Sequence, residues 1–151
     1  VVCAGAKSIL DLPLTLEVLE TQGVPVIGFG TDELPAFFSR TSGLPLDIRI
    51  DTPAQAAAII HARDQLALPQ GLLITVPVPE ADALPVQEAE AAITEATSQA
   101  EAAGVTGKDL TPFVLAKVLE LTAGRSQTAN IAALRNNARV AAQIAVALAA
   151  E

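Results

Sequence analysis

Hydrophobic and polar positions along the chain follow two patterns, each typical of one kind of element. Short runs of Val, Ile and Leu predict buried strands over residues 1–3, 24–29 and 71–76. Residues 46–50 alternate apolar and polar side chains, which predicts a half-exposed strand. Stretches with helical spacing separate these strands. This order is typical of a mostly parallel or mixed sheet, here of about four strands.

Two helices are predicted from the residues that precede them. Asp11 stands just ahead of a proline, and the apolar residues that follow keep helical spacing until Gly23. Thr52 is placed to cap the second helix, and Gln55 completes a capping box with it. We expect this second helix to run to about Leu68.

Helical spacing dominates the second half of the chain. A stripe of mostly alanine predicts a helix over residues 86–103. Thr111 is expected to start the next helix, and residues 113–122 are apolar nearly all round and should be buried. Ser126 is expected to cap a long final helix. These elements predict one three-layer α/β piece over residues 1–151, with a helical C-terminal half.

The composition indicates that part of the surface is covered by a partner or by the rest of a larger protein. Hydrophobic residues make up 51% of the 151 residues, and Met, Trp and Tyr are absent. Charged residues make up only 17%, against about 25% in an average soluble domain. Val1 lies inside an apolar run, so we expect an earlier part of the protein to be missing.

Charge and aromatic content argue against a nucleic-acid partner. The net charge is −8, and the nine basic residues are scattered along the sequence, for example Arg40, Arg63, Lys117 and Arg139. Nucleic-acid binding needs clustered Lys and Arg, often with aromatic side chains on which bases stack. A small anionic ligand is still compatible with this charge, because one or two cations and backbone amides can hold it.

The single cysteine and the hydropathy pattern bear on location. Cys3 has no second cysteine to pair with, which favours a reducing, cytoplasmic setting and an inert buried thiol. Every apolar stretch is shorter than the roughly 20 residues that span a bilayer. We also find no signal-peptide pattern, so no membrane contact is expected.

Lys7 is the strongest candidate for chemistry. It follows a buried strand in a turn of small residues, and ligands of parallel α/β sheets gather beyond the carboxyl ends of strands. Gly5 should let a substrate approach the backbone closely. A lysine that loses solvation there presents a neutral amine, which forms imines with carbonyl compounds. An ordinary surface lysine is the alternative.

Asparagines in the final helix are the second candidates. Asn130 and Asn137 are seven residues apart, which places them on one helix face about 10 Å apart. Asparagine is a poor helix former, so a ligand contact would explain both. Hydrogen bonding inside a helical bundle is the alternative.

The remaining polar residues favour structural roles. Asp32, Glu33 and Asp51 lie in or beside loops without diagnostic spacing, and we expect them to be solvated. His61 is the only histidine, so a histidine metal site is not expected. Residues 28–30 (GFG) lack the third glycine of a dinucleotide-binding loop.

Residues 1–11, VVCAGAKSILD, closely resemble the pseudouridine-5'-phosphate glycosidase family, also called indigoidine synthase A-like. Further stretches agree in order along the chain: residues 19–25, 35–38, 111–113, 130–131 and 135–138. The resemblance covers the whole chain, which corresponds to the second half of a family member. It implies an α/β/α sandwich and a homotrimer when full length.

The resemblance also implies a reaction. Family members reversibly split pseudouridine 5'-phosphate into uracil and ribose 5-phosphate, through a lysine imine at C1 of the ring-opened sugar. The lysine of the motif matches Lys7, and an active-site asparagine matches Asn130 as a substrate contact. The family's glutamate acid, phosphate-binding lysine and manganese ion (Mn²⁺) belong to the first half. No metal ligand is therefore expected in this chain.

One departure from the family pattern concerns residue 76. Family members commonly have Asn-Pro-Ile-Pro-Glu there, whereas this chain has Val76 in place of the asparagine. The valine cannot hydrogen-bond through its side chain, so substrate geometry or efficiency is expected to differ. Two other functions stay open: a non-catalytic module that binds sugar phosphates or serves assembly, and a C–C lyase on a related nucleotide.

Overall fold

The computed structural model describes residues 1–7 and 10–150 of the chain. Within these ranges four short strands are followed by a helical second half. The strands are β1 (Val2–Cys3), β2 (Val26–Phe29), β3 (Ile48–Ile50) and β4 (Leu73–Thr75). The helices are α1 (Leu12–Thr21), α2 (Pro53–Gln65), α3 (Val86–Ala102), α4 (Leu110–Leu121) and α5 (Arg125–Ala149).

The four strands form one parallel sheet in the order β1-β4-β2-β3. The crossover from β1 to β2 runs one way across the sheet, and that from β3 to β4 runs the other way. Crossovers between parallel strands are right-handed, so α1 and α2 lie on opposite faces of the sheet. The predicted three-layer α/β/α architecture is therefore confirmed.

One hydrophobic core lies between the sheet and the helices α2 and α5. Ile27 and Ile74 point into it from the two central strands, and Val140 and Ile144 point into it from α5. Ala56 of α2 is fully buried in the same core. Its small side chain lets α2 pack closely, which suits a chain without Trp, Tyr or Met.

A second core caps the carboxyl edge of the sheet. Helix α3, helix α4 and the first half of α5 pack together there through small side chains such as Ala96 and Ala129. Ala4, which directly follows β1, belongs to this core together with Phe38 and Val78. The second core therefore fixes the positions of the loops that leave β1 and β4.

Local helix signals were predicted correctly. The Asp11 carboxylate accepts a hydrogen bond from the amide of Leu14 at 2.9 Å and caps α1. Thr52 and Gln55 form the predicted capping box of α2. Gly23 ends α1 in a left-handed conformation with φ of 66°.

The predicted cap of α5 is wrong. The helix begins at Arg125, and Gly124 takes the cap position with φ of 86°. Ser126 is buried inside the first turn, where its amide donates to the Thr122 hydroxyl at 3.2 Å. The left-handed glycine reverses the chain between α4 and α5, so a side-chain cap is not needed.

The prediction that residues 113–122 are buried all round is also wrong for the described chain. Val114 and Val118 are buried on one face of α4, whereas Leu121 on the other side is 46% exposed. Helices α3 and α5 cover α4 from one side only. Thr111 lies within the first turn of α4, which begins one residue earlier.

Candidate active site at the carboxyl edge of the sheet

Because the sheet is parallel, the carboxyl ends of its strands share one edge. The segments that leave β1, β4 and β2 there are residues 4–7, 76–79 and 30–31. Ligands of parallel α/β sheets bind at this edge, in crevices between neighbouring strand ends. The sequence-predicted Lys7 belongs to the first of these segments.

Lys7 lies at the end of a tightly packed turn. The carbonyl of Ala4 accepts a hydrogen bond from the amide of Phe37 at 3.1 Å. Gly5 has φ of 90°, and a Cβ atom there would lie 1.9 Å from the carbonyl oxygen of Pro35. We predicted from the sequence that Gly5 lets a substrate approach the backbone. In the structure, the backbone of Pro35 makes this close approach.

The side chain of Lys7 is exposed. Its backbone carbonyl accepts a hydrogen bond from the amide of Leu10 at 2.8 Å. The described residues therefore do not bury the Lys7 amine, and the loss of solvation predicted from the sequence is not seen. Lys7 is instead available to a ligand or to another part of the protein.

The segment 35–38 joins the Lys7 turn to the helical core. Phe37 has φ of 63°, which is rare for a residue with a side chain. Its ring contacts Phe38 edge to face, with 4.8 Å between the ring centres. The Phe38 carbonyl accepts from the amide of Leu84 at 2.9 Å. The turn is thus held by contacts far from it in sequence.

Asn130 lines a recess of about 220 Å³ between α4, α5 and Phe38. Leu119 and Gln127 line the same recess, and Asn130 itself is half-buried. Phe38 is shared between this recess and the segment that holds the Lys7 turn. The two predicted residues are therefore connected in the described chain through residues 35–38.

Asn137 lies deeper in α5. It follows Ala133, which belongs to the core at the carboxyl edge, and precedes Val140, which belongs to the core under the sheet. The Asn137 side-chain oxygen is buried and lacks a hydrogen-bond partner among the described residues. A buried oxygen without a donor lowers the free energy of unfolding by about 1–3 kcal/mol. A donor from a ligand or from another part of the protein would remove this loss.

Two arginines that are far apart in the sequence lie close to this edge. Arg40 and Arg139 both line a cleft of about 320 Å³ beside Pro77. Asn136 donates to the Pro77 carbonyl at 3.3 Å and accepts from Arg139 at 2.7 Å. Nearly a hundred residues separate the two arginines, so their sequence spacing gave no signal of this site.

Val76 takes part in packing. Its side chain is buried in the core between the sheet and helices α2 and α5. Its amide donates a hydrogen bond to the Cys3 carbonyl at 2.7 Å. The residue therefore extends the pairing of β4 with β1 beyond the strand. A polar side chain at this position would have to displace core packing.

The loop carboxylates have structural partners. Arg49 pairs with Asp32 at 2.5 Å and with Asp51 at 2.9 Å. The Glu33 carboxylate accepts from the Gly43 amide at 3.1 Å. Asp32 and Asp51 are exposed, so their predicted solvation is confirmed, whereas Glu33 is only partly exposed.

Cys3 and the glycines of residues 28–30 also have structural explanations. Burial raises the pKa of the Cys3 thiol, despite a lowering contribution from the Gly5 backbone. A raised pKa leaves little thiolate at neutral pH, as the predicted inert thiol requires. A Cβ atom on Gly28 would lie 2.1 Å from the Thr31 carbonyl oxygen. Gly28 therefore allows a tight turn of the chain onto itself.

The described residues do not fit a manganese site. Within residues 1–7 and 10–150, no three His, Cys, Asp or Glu side chains cluster as a metal ion would need. No helix in these ranges is long and apolar enough to cross a membrane.

A family model described as indigoidine synthase A like protein matches residues 1–147. The chain belongs to this family. The resemblance seen in residues 1–11 is thereby confirmed over nearly the whole chain.

Known relatives agree with the family assignment. The chain is 57% identical over 148 residues to a pseudouridine-5'-phosphate glycosidase of Methylobacterium nodulans, covering 98% of this chain and 44% of that protein. It is 54% identical to the glycosidase of Symbiobacterium thermophilum, covering 98% and 48%. The chain therefore spans about half the length of these curated relatives.

Two solved structures share the fold. The prealnumycin C-glycosynthase AlnA, solved in complex with ribulose 5-phosphate, superposes with a TM-score of 0.89 at 39% identity. An indigoidine synthase A-like protein of Thermotoga maritima superposes with a TM-score of 0.87, also at 39% identity. In each case 97% of this chain is covered, and 48% of the other chain.

Proposed function

We propose that the full-length protein to which this chain belongs reversibly cleaves pseudouridine 5'-phosphate into uracil and ribose 5-phosphate. The observation that carries the proposal is Lys7, an exposed lysine at the carboxyl edge of a parallel sheet. It stands in a chain 57% identical to a glycosidase that is named for this substrate. This chain supplies the amine and spans about half of such an enzyme.

The bond to be broken joins C1 of the sugar to C5 of uracil. In the synthetic direction, Lys7 Nζ condenses with the aldehyde of ring-opened ribose 5-phosphate and releases water. Carbon C5 of uracil then adds to the imine carbon and loses its proton, and the sugar O4 displaces the Lys7 amine from C1 as the ring closes. In cleavage, Lys7 Nζ adds at C1 as the sugar ring opens. The electron pair of the C–C bond then returns to uracil, which gains a proton at C5, and water hydrolyses the imine to free the amine and ribose 5-phosphate.

The packing of the Lys7 turn supports this role. Gly5 and Ala4 are held against residues 35–37 by a backbone contact and a hydrogen bond, so the lysine starts from a fixed backbone. A fixed backbone next to Lys7 reduces the entropy lost when its amine attacks the sugar.

Asn130 and Asn137 are proposed as substrate contacts. Asn130 lines a recess that shares Phe38 with the segment holding the Lys7 turn. Asn137 has a buried oxygen that lacks a donor within the described chain. A sugar hydroxyl or an imide N–H of uracil would supply such a donor.

Manganese and the homotrimer belong to the proposal for the full-length protein. Since the described residues offer no metal-ligand cluster, any manganese ligands would lie in the part that this chain does not span. Assembly is supported by an apolar face of α1, where Leu14 and Val18 are 55% and 54% exposed. A cytoplasmic location is proposed because Cys3 is the single cysteine and is free.

Borohydride trapping tests the imine. The full-length protein is incubated with ribose 5-phosphate, reduced, digested and analysed by mass spectrometry. The sugar adduct is expected on Lys7, and the Lys7→Arg variant should lose both the adduct and uracil release. The Lys117→Arg variant is the matched control, because Lys117 pairs with Glu120 on α4 and should leave both unchanged. An adduct on a different lysine, or none, contradicts the proposal.

A second candidate is C–C bond chemistry on a substrate other than pseudouridine 5'-phosphate. The solved C-glycosynthase AlnA, at 39% identity and bound to ribulose 5-phosphate, favours it. Trapping would then label Lys7, while uracil would be neither consumed nor released. A full-length protein that binds sugar phosphates without any adduct would instead be a non-catalytic module.

A further inference from the structure

The arginines of this chain fall into two groups. Of the six arginines in the sequence, three form ion pairs with carboxylates: Arg49 with Asp32 and Asp51, Arg63 with Asp64, and Arg125 with Glu88. The other three lack a carboxylate partner among the described residues. These three, Arg40, Arg135 and Arg139, line two adjoining clefts at the carboxyl edge of the sheet.

The narrower cleft has a volume of about 320 Å³. It lies where β2 and β4 end, between Gly30 and Pro77, with Asn136 and Arg139 of α5 on the other side. Arg40 is half-buried at its wall. Two arginine side chains thus line one small space at the edge where ligands of parallel sheets bind.

Both guanidinium groups are held by neutral acceptors. Arg40 donates from Nη1 to the Val78 carbonyl at 2.7 Å. Arg139 donates to the side-chain oxygen of Asn136 at 2.7 Å, and Asn136 is fixed in turn by the Pro77 carbonyl. These contacts fix the side chains and leave their positive charges without a counter-charge. Each guanidinium retains further N–H donors in the planar arrangement that suits phosphate oxygens.

The wider cleft continues from the narrow one. It shares Pro79, Asn136 and Arg139 with it, adds Arg135 and Thr128, and has a volume of about 560 Å³. Asp82 also lines it and would repel a phosphate at that end while accepting hydrogen bonds from hydroxyl groups. Arginines therefore line both clefts, and among the described residues only the wider one also has a carboxylate, that of Asp82.

We propose that the narrow cleft between Arg40 and Arg139 binds the phosphate group of a small phosphate monoester, with the rest of that molecule in the wider cleft. The chain has a net charge of −8, so general attraction would not bring a polyanion to it. A local pair of uncompensated guanidinium groups is needed for such binding. Lys7 lines neither of the two clefts.

The test follows the arginine side chains themselves. Nuclear magnetic resonance of the full-length protein labelled with ¹⁵N-arginine reports each Nε–H group during titration with inorganic phosphate at constant ionic strength. The signals of Arg40 and Arg139 should shift together, and that of Arg63, paired with Asp64 on α2, should stay in place. In Arg139→Gln, the Arg40 signal should need about ten times more phosphate for the same shift.

Two further measurements separate the outcomes. Lys7→Ala should bind phosphate at the cleft as the unchanged protein does, which keeps this site distinct from the proposed reaction. Tighter binding of ribose 5-phosphate than of inorganic phosphate would place the sugar in the wider cleft, and equal binding would assign the cleft to the phosphate group alone. Unmoved Arg40 and Arg139 signals, or an equal shift of Arg63, would overturn the proposal.

Discussion

The amide of Phe37 donates a hydrogen bond to the carbonyl of Ala4 at 3.1 Å, and this contact ties two distant parts of the chain together. Ala4 is buried directly after β1 and precedes Lys7 by three residues. Phe37 has a left-handed backbone conformation that the surrounding packing must maintain. The position of the candidate nucleophile therefore depends on residues 35–38 as well as on its own turn.

Gly5→Ala is expected to destabilise the protein by about 2–4 kcal/mol. The new Cβ atom would lie 1.9 Å from the Pro35 carbonyl oxygen, at a backbone φ of 90° that disfavours alanine. Denaturant unfolding measures the change. Because the turn must shift, the rate of Lys7 adduct formation should also fall.

Gly30→Ala is the matched control for this substitution. Gly30 also has a positive φ, of 67°, but nothing lies within 4 Å of the added Cβ atom. Gly30→Ala should therefore lower the free energy of unfolding only through backbone strain, by about 1–2 kcal/mol. Equal losses for the two variants would show that the contact with Pro35 is unimportant.

Thr122→Val tests the junction between α4 and α5. The Thr122 hydroxyl donates to the Val118 carbonyl at 2.7 Å and accepts from the buried Ser126 amide at 3.2 Å. Valine fills the same space but leaves that amide without an acceptor. We expect a loss of about 1–3 kcal/mol in the free energy of unfolding. Thr128→Val, at an exposed position of α5, should change it by less than about 0.5 kcal/mol.

What the sequence predicted well is local. Asp11 and Thr52 cap the helices that follow them because a cap needs only the next three residues. The position of Lys7 after a buried strand could be predicted because strand and turn are contiguous in sequence. Each of these signals lies within a few residues of the element that it defines.

Contacts between residues that are far apart along the chain could not be predicted from the sequence. The contact between Gly5 and Pro35 requires the loop after β2 to fold back over β1. The meeting of Arg40 with Arg139 requires the order of the strands and the position of α5. Hydrophobic periodicity shows which face of an element is buried but not which element covers it.

Leu14→Ser tests whether the exposed face of α1 is covered in the full-length protein. Leu14 is 55% exposed in this chain, so the substitution should change the stability of residues 1–151 alone by less than about 0.5 kcal/mol. If the face is buried in the full-length assembly, the same variant should lower the stability of the assembled protein, or its mass by light scattering. Glu17→Ser on the same helix is the control, because Glu17 is an exposed polar residue. Unchanged stability and mass of the full-length variant would show that solvent covers this face.

The Cys3 thiol should make the stability of the protein fall at alkaline pH. Burial raises its pKa in the folded state above the ordinary value of 9.0. The folded state therefore holds its proton at pH values where the unfolded state has released it. The contribution is fully present below pH 9.0 and is lost as pH rises through the raised folded value.

Cys3→Ala removes this titration. Denaturant unfolding between pH 7 and pH 10 should show a smaller decline for the variant than for the unchanged protein. Alkylation by iodoacetamide gives an independent measure: at pH 8 the folded protein should react more slowly than the same chain in denaturant, because less thiolate is present. Equal alkylation rates together with parallel stability curves would show that the thiol of Cys3 titrates as it does in water.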